Sequence, residues 1–156
     1  MHCEPQENNS RCLVCGFLYF FNPAVGNGNI LINEAGEILL LRRAKEPSAG
    51  CWDTPGGFIE AGETPEQGAQ REIFEETGLS VTQLEYFVAL PNVYEYTGVR
   101  YDLIDIFFVG HIVGEPQIRL QESEVTEYQF FEPKDIDLPG IGFDSVRRAL
   151  ALYISR

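Results

Sequence analysis

One stretch constrains this chain more than any other: Gly57 to Leu79, GFIEAGETPEQGAQREIFEETGL. Thr64 is a good N-cap, Pro65 suits the first helical position, and Gln67 completes a capping box. Gly78 supplies the stop by taking the left-handed position cheaply. The helix between them turns Ala69 and Ile73 to one side, an apolar stripe that needs a sheet to dock on. Its other side carries Glu72, Glu75 and Glu76 at i, i+3 and i+4, one turn apart on a shared face. Like charges at that spacing cost roughly 0.2–0.5 kcal/mol per pair, and Glu75 and Glu76 also lie near the negative end of the helix. Arg71 can neutralise one partner, with Glu63 in the preceding loop the candidate. The rest of the charge is balanced either by solvent, as an ordinary acidic face, or by a hard divalent cation that prefers oxygen ligands.

Gly57, five residues, Glu63, seven residues, then Arg71-Glu72-Ile73-Phe74-Glu75-Glu76-Thr77-Gly78-Leu79 resembles the box of the Nudix hydrolases at every defined position. Trp52-Asp53-Thr54-Pro55-Gly56 resembles the usual lead-in, and a looser likeness runs from about Phe20 to the C-terminus. The resemblance implies an α/β/α sandwich around a mixed β-sheet. It implies hydrolysis of a nucleoside diphosphate linked to another moiety, with Mg²⁺, or Mn²⁺ in its place, held by Glu72, Glu75, Glu76 and the backbone carbonyl of Gly56. It assigns Glu63 and Arg71 to holding the loop against the helix, with Gly57 and Gly78 structural. The base that takes the proton from water varies within the family: Glu72 is a candidate, and so is a later carboxylate. That later group serves as metal ligand or base, with Glu124 the first choice for it and Glu122 the second.

The sequence has 156 residues, 44% of them hydrophobic, enough for one domain with a real core. No apolar run approaches the roughly 20 residues that span a bilayer, and the N-terminus lacks the regions of a signal peptide. The expected setting is the cytoplasm. A net charge of −13 argues against a nucleic-acid polymer as partner and suits a protein that collects cations. The expected partner is a small nucleotide, with a homodimer also open.

Residues 1–19 read as a short extension and 20–156 as the Nudix domain. Residues 1–11 are polar and expected to be poorly ordered unless tied down. Cys12-Leu13-Val14-Cys15-Gly16 is half of a zinc-ribbon knuckle. Its first half has decayed: Cys3 has Gln6 where a second cysteine belongs, and His2 is adjacent to Cys3. That favours a metal-free relic over a zinc site of Cys3, Cys12 and Cys15, and Cys51 reads as a lone thiol. The runs 29–32 and 37–41 predict a hairpin, with Leu39-Leu40-Leu41 marking a strand buried on both faces. Arg42 and Arg43 end it as a solvated strand end or as receivers of substrate phosphate.

Residues 81–90, 102–113 and 125–131 predict strands. Tyr94 and Tyr96, two apart in an aromatic stretch, point to one face and suit base stacking, ordinary strand packing or a dimer surface. His111 reads as a strand residue rather than a catalytic one. The last helix is expected over 144–154, capped by Asp144 or Ser145.

An ADP-sugar or a dinucleotide such as NADH is the favoured substrate, because some Nudix relatives that cleave NADH carry an N-terminal ribbon. Nucleoside triphosphates, as in pool sanitation, are the alternative. A non-catalytic nucleotide-sensing domain is the reading from another class, and such domains lose box carboxylates that this chain keeps.

Overall fold

A computed structural model describes residues 3–5 and 8–156, with the side chains of residues 3–5 and of Tyr96 excepted. The elements in chain order are β1 (Cys3–Pro5), β2 (Asn9–Cys12), β3 (Leu18–Phe20), β4 (Ala24–Ile32), β5 (Ile38–Arg43), β6 (Trp52–Asp53), β7 (Gly56–Phe58), α1 (Pro65–Thr77), β8 (Leu84–Tyr96), β9 (Val99–His111), β10 (Val125–Phe131) and α2 (Asp144–Ile154). Strands β4 to β10 form one sheet in the order β10-β5-β4-β9-β8, with β6 paired to β5 and β7 to β4. The expected hairpin is there: Ile32 faces Ile38 across the turn at Asn33–Glu37, whose backbone hydrogen bond is 3.0 Å. β4 runs parallel to β9 from Ala24↔Leu103 to Ile32↔His111 and antiparallel to β5, so the sheet is mixed.

Period-two alternation divides the core between two helices. Ile30, Ile32, Ile38 and Leu40 join Phe107, Val146, Ala149 and Leu150 on the α2 side. Leu31, Leu39 and Leu41 point the other way, to Ile73 of α1. Both faces of the central strands are therefore covered, which is why their sequence reads as a continuous apolar run. The result is the sandwich that the resemblance implied.

The fold qualifies three expectations. Within the polar N-terminal segment, β1 and β2 are tied down in a separate three-stranded antiparallel sheet, β1-β2-β3. The pairing has register Cys3↔Cys12 and Asn9↔Phe20, and Gly16 turns the chain at φ 75°. The strand expected over 81–90 begins at Leu84 and forms the first part of the longer β8, which turns at Thr97–Gly98 into β9. Helix α2 has the expected span, but Phe143 is its N-cap and no side chain caps it. Ser145 points elsewhere, as described below. His2 and the side chains of Cys3 and Tyr96 lie outside the described residues.

Candidate active site

Helix α1 begins as its sequence dictates. Thr64 Oγ1 accepts from Gln67 N at 3.3 Å, and Gln67 Oε1 accepts from Thr64 N at 2.9 Å. Gly78 closes the helix at φ 72°, its N–H donating to the Phe74 carbonyl. Ala69 and Ile73 are fully buried, and the acidic face turns toward the loop of β7.

Arg71 is the hub of that face. The sequence suggested one partner for it; the structure gives three carboxylates and a carbonyl. Its guanidinium bonds both oxygens of Glu63 at 2.7 and 3.1 Å, Glu72 at 2.8 Å, Glu75 at 3.2 Å and the Phe58 carbonyl at 3.0 Å. A planar fork with five donors can serve this many acceptors, where a lysine could not. Glu63 also accepts from Glu60 N, and its carboxyl is held below the usual range by the Arg71 hydrogen bond. Loop and helix are tied together through one cation.

The loop itself requires glycine. A Cβ on Gly56 would strike the Asn27 carbonyl, and one on Gly57 would come within 2.6 Å of the Glu72 carboxyl. Gly56 N donates to Glu76 Oε2 at 3.0 Å. Asn29, fully buried, fastens the loop from below: its Nδ2 reaches Pro55 O at 3.0 Å and Asn27 Oδ1 at 2.8 Å. Asn27 Nδ2 then donates to Gly57 O at 3.1 Å. Nothing in the sequence reading singled out these two asparagines. The only available signal was two polar residues alternating with glycine inside an apolar strand, Gly26-Asn27-Gly28-Asn29.

The carboxylates are crowded and partly dehydrated. Burial pushes Glu76 well above the usual carboxylate range, and the charges of Asp53 and Glu72 add to it. Burial also raises Glu72, with Glu75 and Glu124 adding. Asp53 is pushed up to about 6, because burial outweighs its bond from Arg43 at 3.1 Å. Buried acids that hold protons so readily mark a place where positive charge is wanted. All the donors are oxygens, the set that suits a hard divalent cation. Among the described residues no three His, Cys, Asp or Glu side chains converge closely enough to hold an ion as they stand. Arg71 occupies Glu72 and Glu75, and Glu76 is turned to Gly56 N.

The later carboxylate lies within electrostatic reach of Glu72. Glu124 is exposed at the foot of β10, pairs with Lys45 at 2.7 Å, and its charge is felt at Glu72. Glu122 is exposed on the same loop. The two arginines separate. Arg43 lines a cleft beside the loop, bonded to Pro47 O at 2.9 Å and lying 4.8 Å over the Phe143 ring. Arg42 does not line that cleft. It bonds Glu127 at 2.8 Å and stacks on Trp52 at 4.4 Å.

The cleft has a volume of about 90 Å³ and opens along Gly56 and Gly57. Tyr94 stacks on Phe143 at 6.0 Å and meets Phe58 edge-on at 5.7 Å, so three aromatic rings form one wall. Thr54 Oγ1, buried and without a hydrogen-bond partner among the described residues, lines it too. Away from this region, Cys12 is half-buried and Cys15 exposed in their turn, and Cys51 is half-buried. No helix among the described residues is long and apolar enough to cross a membrane.

Comparison with known proteins agrees with this geometry. The NUDIX domain model matches residues 22–152. The chain is 36% identical over 124 residues to "NAD-capped RNA hydrolase NudC" of Haemophilus influenzae, matching 78% of this chain and 44% of that protein, so it spans under half the length of that relative. It is 34% identical over 133 residues to "ADP-ribose pyrophosphatase" of Methanocaldococcus jannaschii, covering 80% of this chain and 70% of that one. The solved NUDIX hydrolase of Nitrosomonas europaea superposes with a TM-score of 0.75 at 26% identity, covering 98% of this chain and 84% of that chain. With a complete box on α1, the sandwich around it and a family match over most of its length, the chain belongs to the Nudix hydrolase family.

Proposed function

We propose that this chain hydrolyses the pyrophosphate linkage of a nucleoside diphosphate joined to a second group, with ADP-ribose and dinucleotides such as NADH favoured. One observation carries the reading: Gly56 and Gly57 belong both to the carboxylate cluster and to the aromatic cleft. A substrate whose base enters the cleft would bring its phosphates to Glu72 and Glu76. The names of the relatives, which act on ADP-ribose or NAD-capped RNA, support the same class.

The donor set fits Mg²⁺, with Mn²⁺ able to replace it, on Glu72, Glu75, Glu76, Glu124 and the Gly56 carbonyl. When bound, such an ion neutralises phosphate charge and lowers the pKa of water. The chain's own residues do the rest. Arg71 and Glu63 keep the loop and helix in register, and Gly57 leaves room for the Glu72 carboxyl. Glu72, half-buried and raised above the usual carboxylate range by burial, is a stronger base than an exposed glutamate and is the first candidate to accept the proton from water. Glu124 is the second candidate for that role, its ion pair with Lys45 being exposed and readily exchanged. Arg43 and Tyr94 contact the nucleotide within the cleft; Arg42, held by Glu127 and Trp52, is the weaker candidate of the two arginines, and the Tyr96 side chain lies outside the described residues.

The same proposal treats residues 1–19 as a metal-free extension of a domain over 20–156. It takes the cytoplasm as the setting and leaves room for a homodimer. A panel of NADH, ADP-ribose, dinucleoside polyphosphates, nucleoside triphosphates and NAD-capped RNA, each with Mg²⁺, tests the function. Release of AMP from ADP-ribose or NADH is expected. Turnover of triphosphates alone would favour pool sanitation. Binding of ADP-ribose and Mg²⁺ without any hydrolysis would establish the sensing alternative and overturn the enzyme reading.

A further inference from the structure

Asp105 takes no part in the chemistry above, yet its neighbours orient it within the cleft. It lies on β9, opposite Gly26 of β4 and Leu90 of β8, and it lines the cleft together with Tyr94, Phe58 and Phe143. One carboxylate oxygen, Oδ2, accepts two hydrogen bonds: from Asn92 Nδ2 on β8 at 2.8 Å and from Ser145 Oγ in the first turn of α2 at 2.6 Å. Asn92 Oδ1 is itself fixed by Val93 N at 2.8 Å. The other oxygen, Oδ1, accepts none among the described residues and lies against Gly26, where a Cβ would collide with it.

With both protein donors on Oδ2, Oδ1 stays accessible from the cleft and can take a donor from a ligand. Donors from two separate elements hold Oδ2, so Oδ1 has a fixed direction. A carboxylate oxygen is an acceptor, and what it asks of a ligand is an N–H or O–H. The aromatic wall decides between them. Three rings reward a flat π-face at about 1–3 kcal/mol per stacked base, which a puckered sugar cannot return.

We propose that Asp105 is a specificity-determining residue that accepts a hydrogen bond from the amino edge of a nucleobase held against Tyr94 and Phe143. A 6-aminopurine fits this description, its exocyclic amine donating to Oδ1. Ser145 and Asn92 are positioning residues: they act through Asp105. The assignment rests on the reading of the cleft as a nucleotide site.

The test is direct binding, read by calorimetry without metal so that turnover plays no part. AMP is compared with purine riboside 5′-monophosphate, which has a hydrogen in place of the amine. The wild-type chain should bind AMP about tenfold or more tightly than the analogue, as expected for one hydrogen bond to a charged group. In Asp105→Asn the two donors hold the amide oxygen at the Oδ2 position and turn the amide nitrogen to the base, so the ratio should fall to about one. Ser145→Ala, which loosens the carboxylate without removing it, should give an intermediate ratio with an unchanged preference. Equal wild-type affinities, no binding of either ligand at millimolar concentration, or a full ratio in a natively melting Asp105→Asn protein would overturn the proposal. Should Asp105→Asn fail to melt cooperatively, Ser145→Ala decides, and an undiminished ratio there also overturns it. Failure of the hydrolase reading looks different: the wild-type ratio holds while ADP-ribose with Mg²⁺ stays intact.

Discussion

Helix α1 is specified by its own ends, whereas α2 is specified by what lies beneath it. α1 has a complete capping box, a proline at its first position and a left-handed glycine at its close. It has little apolar surface to offer, because much of its circumference is acidic. α2 has no side-chain cap, and Val146, Ala149 and Leu150 fix it by burial against the sheet. Its first-turn serine is committed to Asp105 in the cleft rather than to its own backbone. A helix that must present repelling charges needs local support. One that supports a binding cleft is free to direct its polar groups into it.

The comparison can be broken in four places. The largest effect should be on chemistry at α1: Glu76→Gln should lower kcat by roughly 10²-fold or more, since metal-centred charge stabilisation is worth several kcal/mol. The same variant should melt at a higher temperature than wild type without metal, because its ionised carboxyl is unfavourably buried. Activity equal to wild type would remove Glu76 from the site. Next, Ile73→Ala and Leu150→Ala delete fully buried side chains on opposite faces of the sheet, and each should cost about 2–5 kcal/mol in chemical denaturation. A markedly smaller loss for Leu150 would contradict the claim that burial alone fixes α2.

The third place is pH. Asp53 is raised to about 6, and Glu72 and Glu76 are raised as well, all chiefly by burial. Folding therefore favours their protonated forms. The stability they lend is complete below the unfolded-state values near 4 and is lost as pH rises through the folded values. Metal-free protein should accordingly melt at higher temperature at pH 5 than at pH 8, and saturating Mg²⁺ should narrow the gap. A melting temperature that instead climbs from pH 5 to pH 8 without metal would refute the burial account. The smallest effect separates the helix ends. Thr64→Ala should cost about 1 kcal/mol through loss of the cap. Asp144→Ala should cost roughly 0.5 kcal/mol or less, its pairs with Arg147 and Arg148 being exposed.

How much was legible in the sequence follows from the range of the interactions involved. The capping box, the glycine stop and the shared face of Glu72, Glu75 and Glu76 depend on neighbours within two turns, so residue order alone revealed them. Strands β5, β9 and β10 were legible through period-two patterns and apolar runs. Arg71 was only partly legible: its link to Glu63 could be anticipated, but its bonds to Glu72, Glu75 and Phe58 O depend on how the loop folds back. Arg42 and Arg43 are adjacent in sequence and sit on opposite faces of a strand, so only one could reach the cleft. Which one depended on the register of β5 against β6 and β10.

The sequence by itself determined the helix, its termini and the chemistry its acidic face can support, because those are local consequences of spacing. Only the tertiary structure brought Asn27 and Asn29 under the glycine loop, or set Asn92, Asp105 and Ser145 around one oxygen. Those groups are far apart along the chain. Hydrogen bonds between distant strands leave no periodic mark on a sequence, and their partners become identifiable once the sheet fixes its register.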